Sequence, residues 1–158
     1  MKIKNINDAD ELIKYFKEEY KWHLLSYRRT SFNHLTFLVD KEYLQTASEL
    51  IYKDPNLDVS FITMLGADER PLNSSFKVYI VFLVKNSSTI ITLSTPLDKE
   101  QPKYRAISSQ ILQANWHERE IHDLFGITPL GIDLDPLVLH RDWHRGKNFP
   151  MQKPPKLF

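Results

Sequence analysis

The sequence HEREIH, at residues 117–122, differs by one residue from a zinc-binding pattern. In the H-E-x-x-H motif, two histidines four residues apart on a helix bind zinc, and the glutamate acts as a general base. Residues four apart differ by about 40° around a helix axis, whereas His117 and His122 are five apart and differ by about 140°. Because one ion cannot easily be bound by both side chains, the spacing argues against a zinc-dependent hydrolase, which stays as a remote alternative.

The charged residues of this segment pair better at helical spacing. Glu118 and His122, and likewise Arg119 and Asp123, are four residues apart, so each pair can meet on one side of a helix. Such pairs stabilise a helix by only about 0.2–0.5 kcal/mol each. The segment therefore predicts a helix at roughly residues 109–123, and by residue type alone it is typical of an ordinary surface helix.

The composition limits the classes of function. The chain has 158 residues, which is most simply one domain, and 42% of them are hydrophobic. The formal net charge of +1 predicts no binding of nucleic acid or of an anionic membrane, although the basic C-terminal segment keeps a nucleic-acid-binding module as a third hypothesis. The absence of cysteine excludes disulfides, cysteine-ligated iron–sulfur clusters and thiol catalysis, and it favours the cytosol.

The hydrophobic periodicity predicts an α+β fold. Apolar residues recur at helical spacing in residues 8–20 and 41–53, while residues 22–29, 32–39, 59–65, 76–84 and 88–94 are typical of strands. Both sets of alternate positions in FKVYIVFLV, at residues 76–84, are at least partly apolar, which indicates a central strand. With the helix at residues 109–123 the order is αββαβββα. We expect a two-layer domain, a mostly antiparallel sheet with helices on one face.

The sequence changes character near residue 127. Three of the four glycines and five of the nine prolines lie from Gly126 to the end, and the last residues show no helical or strand periodicity. A segment of this composition cannot bury itself, so it is either disordered or laid along another surface. We predict an α+β core domain at residues 1–127 and an extended Pro/Gly-rich docking tail at residues 128–158, which should be mobile in the isolated protein.

ANWHEREIHDLFGI, at residues 114–127, closely resembles the signature of the 30 kDa subunit family of respiratory complex I. That signature is A-x-W-x-E-R-E-x-x-D-L-F-G-I, and this sequence has the same residue at all ten specified positions. The αββαβββα order also suits the α+β domain of that family. The resemblance therefore predicts the fold as well as the helix.

The tail is more similar to the related subunits of membrane-bound energy-converting hydrogenases and formate hydrogenlyases. Complex I members usually continue with G-H-P-D-L-R-R, whereas this chain has GIDLDP at residues 131–136, without the His-Pro and the paired arginines. PLVLH at residues 136–140, followed by Asp142 and Trp143, looks more like the hydrogenase subunits. Pro150 and Lys153 keep two positions of their P-L-R-K ending, but its arginine is missing.

The resemblance implies a subunit that holds no cofactor and performs no chemistry. It would dock on the large catalytic subunit of a membrane-bound hydrogenase or complex-I-like oxidoreductase; the alternative is a genuine 30 kDa subunit of complex I, the NADH:quinone oxidoreductase. Nickel–iron and iron–sulfur centres, or quinone and NADH, are then expected in the partners, which are the large subunit and the iron–sulfur subunits. The chain would be cytoplasmic, and peripheral on the inner face of the cytoplasmic membrane only through these partners.

The docking surface implied by the resemblance comprises the motif helix and the tail. The residues expected at the partner interface are Trp116, Glu118, Arg119, Glu120, Asp123, Phe125, Gly126, His140, Arg141, Asp142, Trp143 and Lys153. Charged residues around aromatic anchors can fix the register of an interface. The alternative is that Trp116 and Phe125 are core residues and that His140 is a solvated tail histidine.

Overall fold

Four helices and seven strands build the fold in the computed structural model, which describes residues 9–19, 24–140 and 149–153. In chain order they are α1 (Ala9–Glu19), β1 (Leu24–Ser31), β2 (His34–Val39), α2 (Leu44–Tyr52), β3 (Val59–Asp68), α3 (Arg70–Asn73), β4 (Phe76–Val84), β5 (Thr89–Leu97), β6 (Lys103–Arg105), α4 (Ala114–Phe125) and β7 (Thr128–Leu130). The predicted αββαβββα order is confirmed, with three short elements, α3, β6 and β7, added to it. None of the helices in the described ranges is both long and apolar enough to cross a membrane.

The main sheet has five strands in the order β1-β2-β5-β4-β3. Its neighbours are antiparallel except for β2 and β5, which run parallel from the pair His34 and Ile90 to the pair Leu38 and Ser94. The predicted mostly antiparallel sheet is therefore confirmed, with one parallel pair that the hydrophobic periodicity does not predict. A second, two-stranded sheet joins β6 and β7 in parallel.

One face of the main sheet carries all three longer helices. Alternate residues of β4, from Phe76 to Val84, are buried, and they share one core with Phe16 of α1, Ile51 of α2 and Ile121 of α4. Each such side chain stabilises the fold by about 1.5–3 kcal/mol relative to an exposed position. The predicted two-layer arrangement, with helices on one face, is confirmed.

Several predicted boundaries shift. The helix expected from residue 109 begins at Ala114, because residues 107–113 form tight turns in which the amides of Gln110 and Ile111 both donate to the carbonyl of Ile107. β3 runs three residues beyond residue 65, since its last residues stay paired with the start of β4. The expected strand start at residue 22 lies outside the described residues.

Candidate partner-binding site

The motif helix α4 is held tightly against the sheet by its apolar side. Ala114 and Ile121 are buried, and Gly66 of β3 allows the close approach, because a Cβ there would lie 3.0 Å from both Ile121 Cγ2 and Phe125 Cδ2. The helix ends at Gly126, which has φ +69° and donates its amide to the His122 carbonyl at 2.9 Å. This packing fixes which side of α4 faces solvent.

Glu118 is fully buried and binds the loop that precedes the helix. Its Oε1 accepts the amide of Ile107 at 2.6 Å, and its Oε2 accepts the amide of Ser108 at 3.2 Å. Burial raises the pKa of Glu118, and the neighbouring Ser108 and Tyr104 together with the two amides oppose this rise. The hydroxyls of Tyr104 and Ser108 are buried beside the carboxylate without a hydrogen bond of good geometry. Burial, and then the charge of Glu118, raise the pKa of Tyr104 well above its usual value.

Arg119 and Asp123 bind the loop that follows β7. Arg119 Nε donates to the Asp135 carbonyl at 2.8 Å, and its Nη2 donates to the Pro136 carbonyl at 3.4 Å. One oxygen of the buried Asp123, Oδ2, accepts three successive amides, those of residues 137–139, at 2.8–3.1 Å. These charge-assisted hydrogen bonds fold residues 135–139 over one flank of the helix.

Residues 149–153 return to the C-terminal end of α4. The amide of Met151 donates to the Leu124 carbonyl at 3.0 Å, and Gln152 Nε2 donates to the Phe125 carbonyl at 2.7 Å. Both contacts satisfy carbonyls that a helix end leaves without an intrahelical partner. The described part of the predicted tail is therefore bound to the core domain; its role in docking stays a prediction.

A buried carboxylate at the end of β3 completes this attachment. Asp68 accepts Arg70 Nε at 2.9 Å, Arg70 Nη2 at 2.7 Å and the Lys153 amide at 2.7 Å, while the Arg70 guanidinium lies over the Phe76 ring. The Arg70 side chain, followed by the Lys153 and Arg70 amides, holds the pKa of Asp68 at about 2. The sequence does not predict this site, because a D-x-R spacing in a polar loop carries no signal that identifies such a contact.

The predicted interface residues differ in their contacts and exposure. Glu118, Arg119, Asp123, Phe125, Gly126 and Lys153 contact other parts of this chain. The side chains of Trp116, Glu120 and His140 are exposed. The other three predicted residues, Arg141, Asp142 and Trp143, lie outside the described residues. Glu118 and Asp123 were expected to face a partner; their carboxylates instead lie in the interior, so any contribution to docking passes through the loops that they bind.

Exposed apolar side chains lie on α4 and on the turn that precedes it. Trp116 and Glu120 are four residues apart on the helix, and Leu112 lies in the turn just before it; Leu112 and Trp116 are 79% and 67% exposed. Val138, 54% exposed, lies over the C-terminal half of the helix, because its amide is bonded to Asp123 at 2.8 Å. We call the four residues Leu112, Trp116, Glu120 and Val138 the α4 strip. An exposed tryptophan between further apolar residues is typical of a protein-binding surface.

The two histidines of HEREIH have different surroundings. The His117 ring packs edge-on against Phe61 of β3, with the ring centres 5.6 Å apart. His122 Nδ1 lies 3.2 Å from the Ile127 carbonyl oxygen, and its ring faces Phe149. Among the residues that the structure describes, no three His, Cys, Asp or Glu side chains are grouped as metal ligands would be. The His117 and His122 rings thus lie against different neighbours.

The sequence of this chain is similar to those of several known proteins. Residues 37–157 match the protein family described as respiratory-chain NADH dehydrogenase, 30 Kd subunit. Formate hydrogenlyase subunit 5 of Escherichia coli (strain K12) is 33% identical over 121 residues, 75% of this chain and 21% of that protein. Hydrogenase-4 component G of the same strain is 27% identical over 141 residues, 87% of this chain and 25% of that protein. The chain thus spans about a fifth to a quarter of the length of these relatives.

A solved structure shares the fold. A chain from the membrane-bound sulfane sulfur reductase (MBS), an archaeal respiratory membrane complex, superposes with a TM-score of 0.77 at 16% identity, covering 90% of this chain and 82% of that chain. At this level of identity the similarity concerns the fold.

Proposed function

Because the chain belongs to the family of the 30 kDa subunit of respiratory-chain NADH dehydrogenase, we propose that it is a peripheral subunit that docks on the large catalytic subunit of a membrane-bound hydrogenase. In this proposal the chain performs no chemistry itself. Its partners hold it at the inner face of the cytoplasmic membrane. The nickel–iron and iron–sulfur centres belong to those partners; this chain, without cysteine, cannot supply thiolate ligands to a cluster.

The observation that carries the proposal is that the charged residues of the motif helix bind loops of this chain, while its tryptophan is exposed. Glu118, Arg119 and Asp123 bind loops on both sides of α4, which makes the region rigid, and Trp116 is left exposed on top of it. A large aromatic side chain on a rigid surface loses little conformational entropy on binding and is often an energetic hot spot. Glu120 beside it suits a basic residue of the partner.

The choice between hydrogenase and complex I rests on the relatives. Formate hydrogenlyase subunit 5 and hydrogenase-4 component G each contain a segment like this chain, and each protein is four to five times as long as that segment. Both names refer to hydrogenase-type complexes, which supports a hydrogenase partner. The family description supports the second candidate, the 30 kDa subunit of an NADH:quinone oxidoreductase.

The proposal is tested by purifying the tagged chain from solubilised membranes of its native host and measuring metals in the eluate. We expect a large subunit with nickel, together with small iron–sulfur proteins. Quinone-reductase subunits without nickel would assign the chain to complex I. Recovery of the chain alone, or with one equivalent of zinc, would refute the docking proposal.

The docking surface is tested with Trp116→Ala in the same purification. Truncation of a central aromatic anchor costs about 2 kcal/mol or more, which weakens binding about 30-fold. The matched control is Phe32→Ala, which truncates another exposed aromatic residue, 81% exposed at the turn between β1 and β2. If Trp116→Ala retains the large subunit as well as the control does, the α4 strip is not the docking surface.

A further inference from the structure

The α4 strip is small for a complete docking surface. A stable interface usually uses about 20–30 residues on each partner, far more than the strip contains. One flank of α4 is closed by this chain itself, because Arg119 binds the carbonyls of residues 135 and 136 and Asp123 binds the amides of residues 137–139. The docking surface should therefore continue along the flank of the helix that these loops leave open.

The open flank leads from the exposed tryptophan to the C-terminal end of α4. Trp116, Glu120 and Leu124 are four residues apart, so each step turns by only about 40° around the axis and the three residues form a line that rises about 12 Å along the helix. Trp116 and Glu120 are exposed, and Leu124 is half-buried. A partner that covers Trp116 therefore has an accessible path toward the end of the helix.

Residues 149–153, which we call the strap, lie at that end of the helix. The amide of Met151 donates to the Leu124 carbonyl at 3.0 Å, so Met151 continues the line of side chains. The side chain of Gln152 and the amide of Lys153 each donate a hydrogen bond of 2.7 Å to the core domain. Although its backbone is held in this way, the Met151 residue is 52% exposed.

Met151 is well suited to contact a partner. A methionine side chain is unbranched and polarisable, so it adapts to an irregular apolar surface. Because the backbone of the strap is already fixed, binding would restrict little beyond the side chain. A single exposed apolar residue is normal on a protein surface, but Met151 follows Trp116 and Leu124 on the same flank. The apolar surface of the helix therefore extends onto the strap.

We propose that the docking surface extends from the α4 strip onto the strap, with Met151 as a second anchor for the same partner subunit. The strap binds its own core domain first and presents Met151 from there. The partner surface is then apolar opposite Trp116, Leu124 and Met151, with a basic residue opposite Glu120, the one charged residue of the line. The inference rests on the docking function proposed above and names a further part of the same interface.

Peroxide oxidation of methionine in the purified complex tests whether the strap is covered. An accessible methionine is oxidised to its sulfoxide, which mass spectrometry detects. We expect oxidation of Met151 to be slower by at least about fivefold in the complex than in the isolated chain, because its exposed half would be buried. Met64, only 2% exposed, is the buried reference and should react slowly in both samples. Equal rates for Met151 in the two samples would overturn the inference.

An exposed methionine away from this surface controls for the reagent. Phe32, at the turn between β1 and β2, is 81% exposed, so Phe32→Met should be oxidised at the same rate in the complex and in the isolated chain. Slower oxidation at position 32 as well would mean that the complex shields the whole chain, and protection of Met151 would then not support the strap as an anchor.

Met151→Glu tests whether the contact at the strap holds the partner. A carboxylate buried against an apolar surface without a partner is costly, so recovery of the large subunit should fall by at least about tenfold. Met151→Leu keeps an apolar side chain and should retain the subunit. Phe32→Glu is the matched control for an added charge at an exposed apolar position. Thermal unfolding of the isolated variants checks that each stays folded.

The outcomes separate the two proposals. If the wild-type chain recovers no partner at all, the docking function fails, and the contact at the strap fails with it. If Trp116→Ala loses the large subunit while Met151→Glu retains it as well as Phe32→Glu does, the docking function stands and only the extension onto the strap is refuted. Loss of the subunit in both Trp116→Ala and Met151→Glu, with Met151 protected in the wild-type complex, supports one surface across the helix and the strap.

Discussion

Asp68→Asn tests whether a buried charge attaches the end of the chain to the sheet. Asp68 is 3% exposed, and its oxygens accept hydrogen bonds from the Arg70 guanidinium and the Lys153 amide at 2.7–2.9 Å. Asparagine keeps the size and one acceptor, but its amino group would point at a donor. We expect the free energy of unfolding at pH 7 to fall by about 2–3 kcal/mol.

The pH dependence of this loss follows from the pKa of Asp68. Hydrogen bonds from the Arg70 side chain, and then from the Lys153 and Arg70 amides, lower that pKa from 3.8 to about 2. Because the folded-state pKa is below the unfolded-state value, the stabilisation is complete well above pH 4 and is lost as the pH falls through 2. The two pKa values correspond to about 2 kcal/mol at pH 7, of which about half remains at pH 3.

Urea unfolding at pH 7, 5 and 3, followed by tryptophan fluorescence and circular dichroism, measures the free energy of unfolding of the wild type and of the variant. The difference between these two free energies should become smaller toward pH 3. The control is Asp58→Asn, which removes an exposed carboxylate paired with Lys85 and should cost about 0–1 kcal/mol. A difference that does not change with pH, or a loss at pH 7 no larger than in the control, would refute the reasoning.

Three further substitutions test the contacts around α4. Glu118→Ala leaves two buried amides without an acceptor and should lower the free energy of unfolding, measured in urea, by about 3–5 kcal/mol. Glu118→Gln still accepts one amide and should lower it less. Equal losses in the two variants would contradict this. Asp123→Ala should speed deuterium exchange of the amides of residues 137–139 by at least about tenfold and leave the α4 amides unchanged; unchanged exchange in the loop would mean that other contacts hold it. Gly126→Ala should cost about 1–3 kcal/mol in thermal unfolding, because φ is +69° and the new Cβ would lie 2.5 Å from the Phe149 ring. The control, Gly131→Ala, has φ +96° but open space around it and should cost less.

The regular part of the fold could be predicted from hydrophobic spacing. The sequence predicts a strand at residues 76–84, and β4 has these bounds, because five alternate apolar side chains are bounded by polar turns. β6 and β7 gave no signal, since strands of three residues, one containing Pro129, are too short for a periodic pattern. The parallel pairing of β2 and β5 could not be predicted either, because it joins strands that are distant in the sequence.

The roles of the motif residues were harder to predict than the motif itself. Charged side chains are almost never fully buried unless they are paired, so Glu118 and Asp123 were expected on the surface. Their partners are backbone amides of residues 107–108 and 137–139, and every residue type except proline supplies such a donor. Only the three-dimensional path of the two loops identifies these contacts. The sequence therefore locates the helix but not the side of it that faces outward.

The parallel pair at the centre of the sheet sets an order of events during folding. His34 and Ile90 are 56 positions apart in the chain, whereas the hairpin of β1 and β2 and the meander of β3, β4 and β5 are each joined by short connections. Closing a short loop costs less entropy, so the hairpin and the meander should form separately before they join. During synthesis on the ribosome, the edge of β2 that pairs with β5 would have no partner strand until β5 has been synthesised. The step that joins the two units, rather than the formation of either one, should then limit the rate of folding.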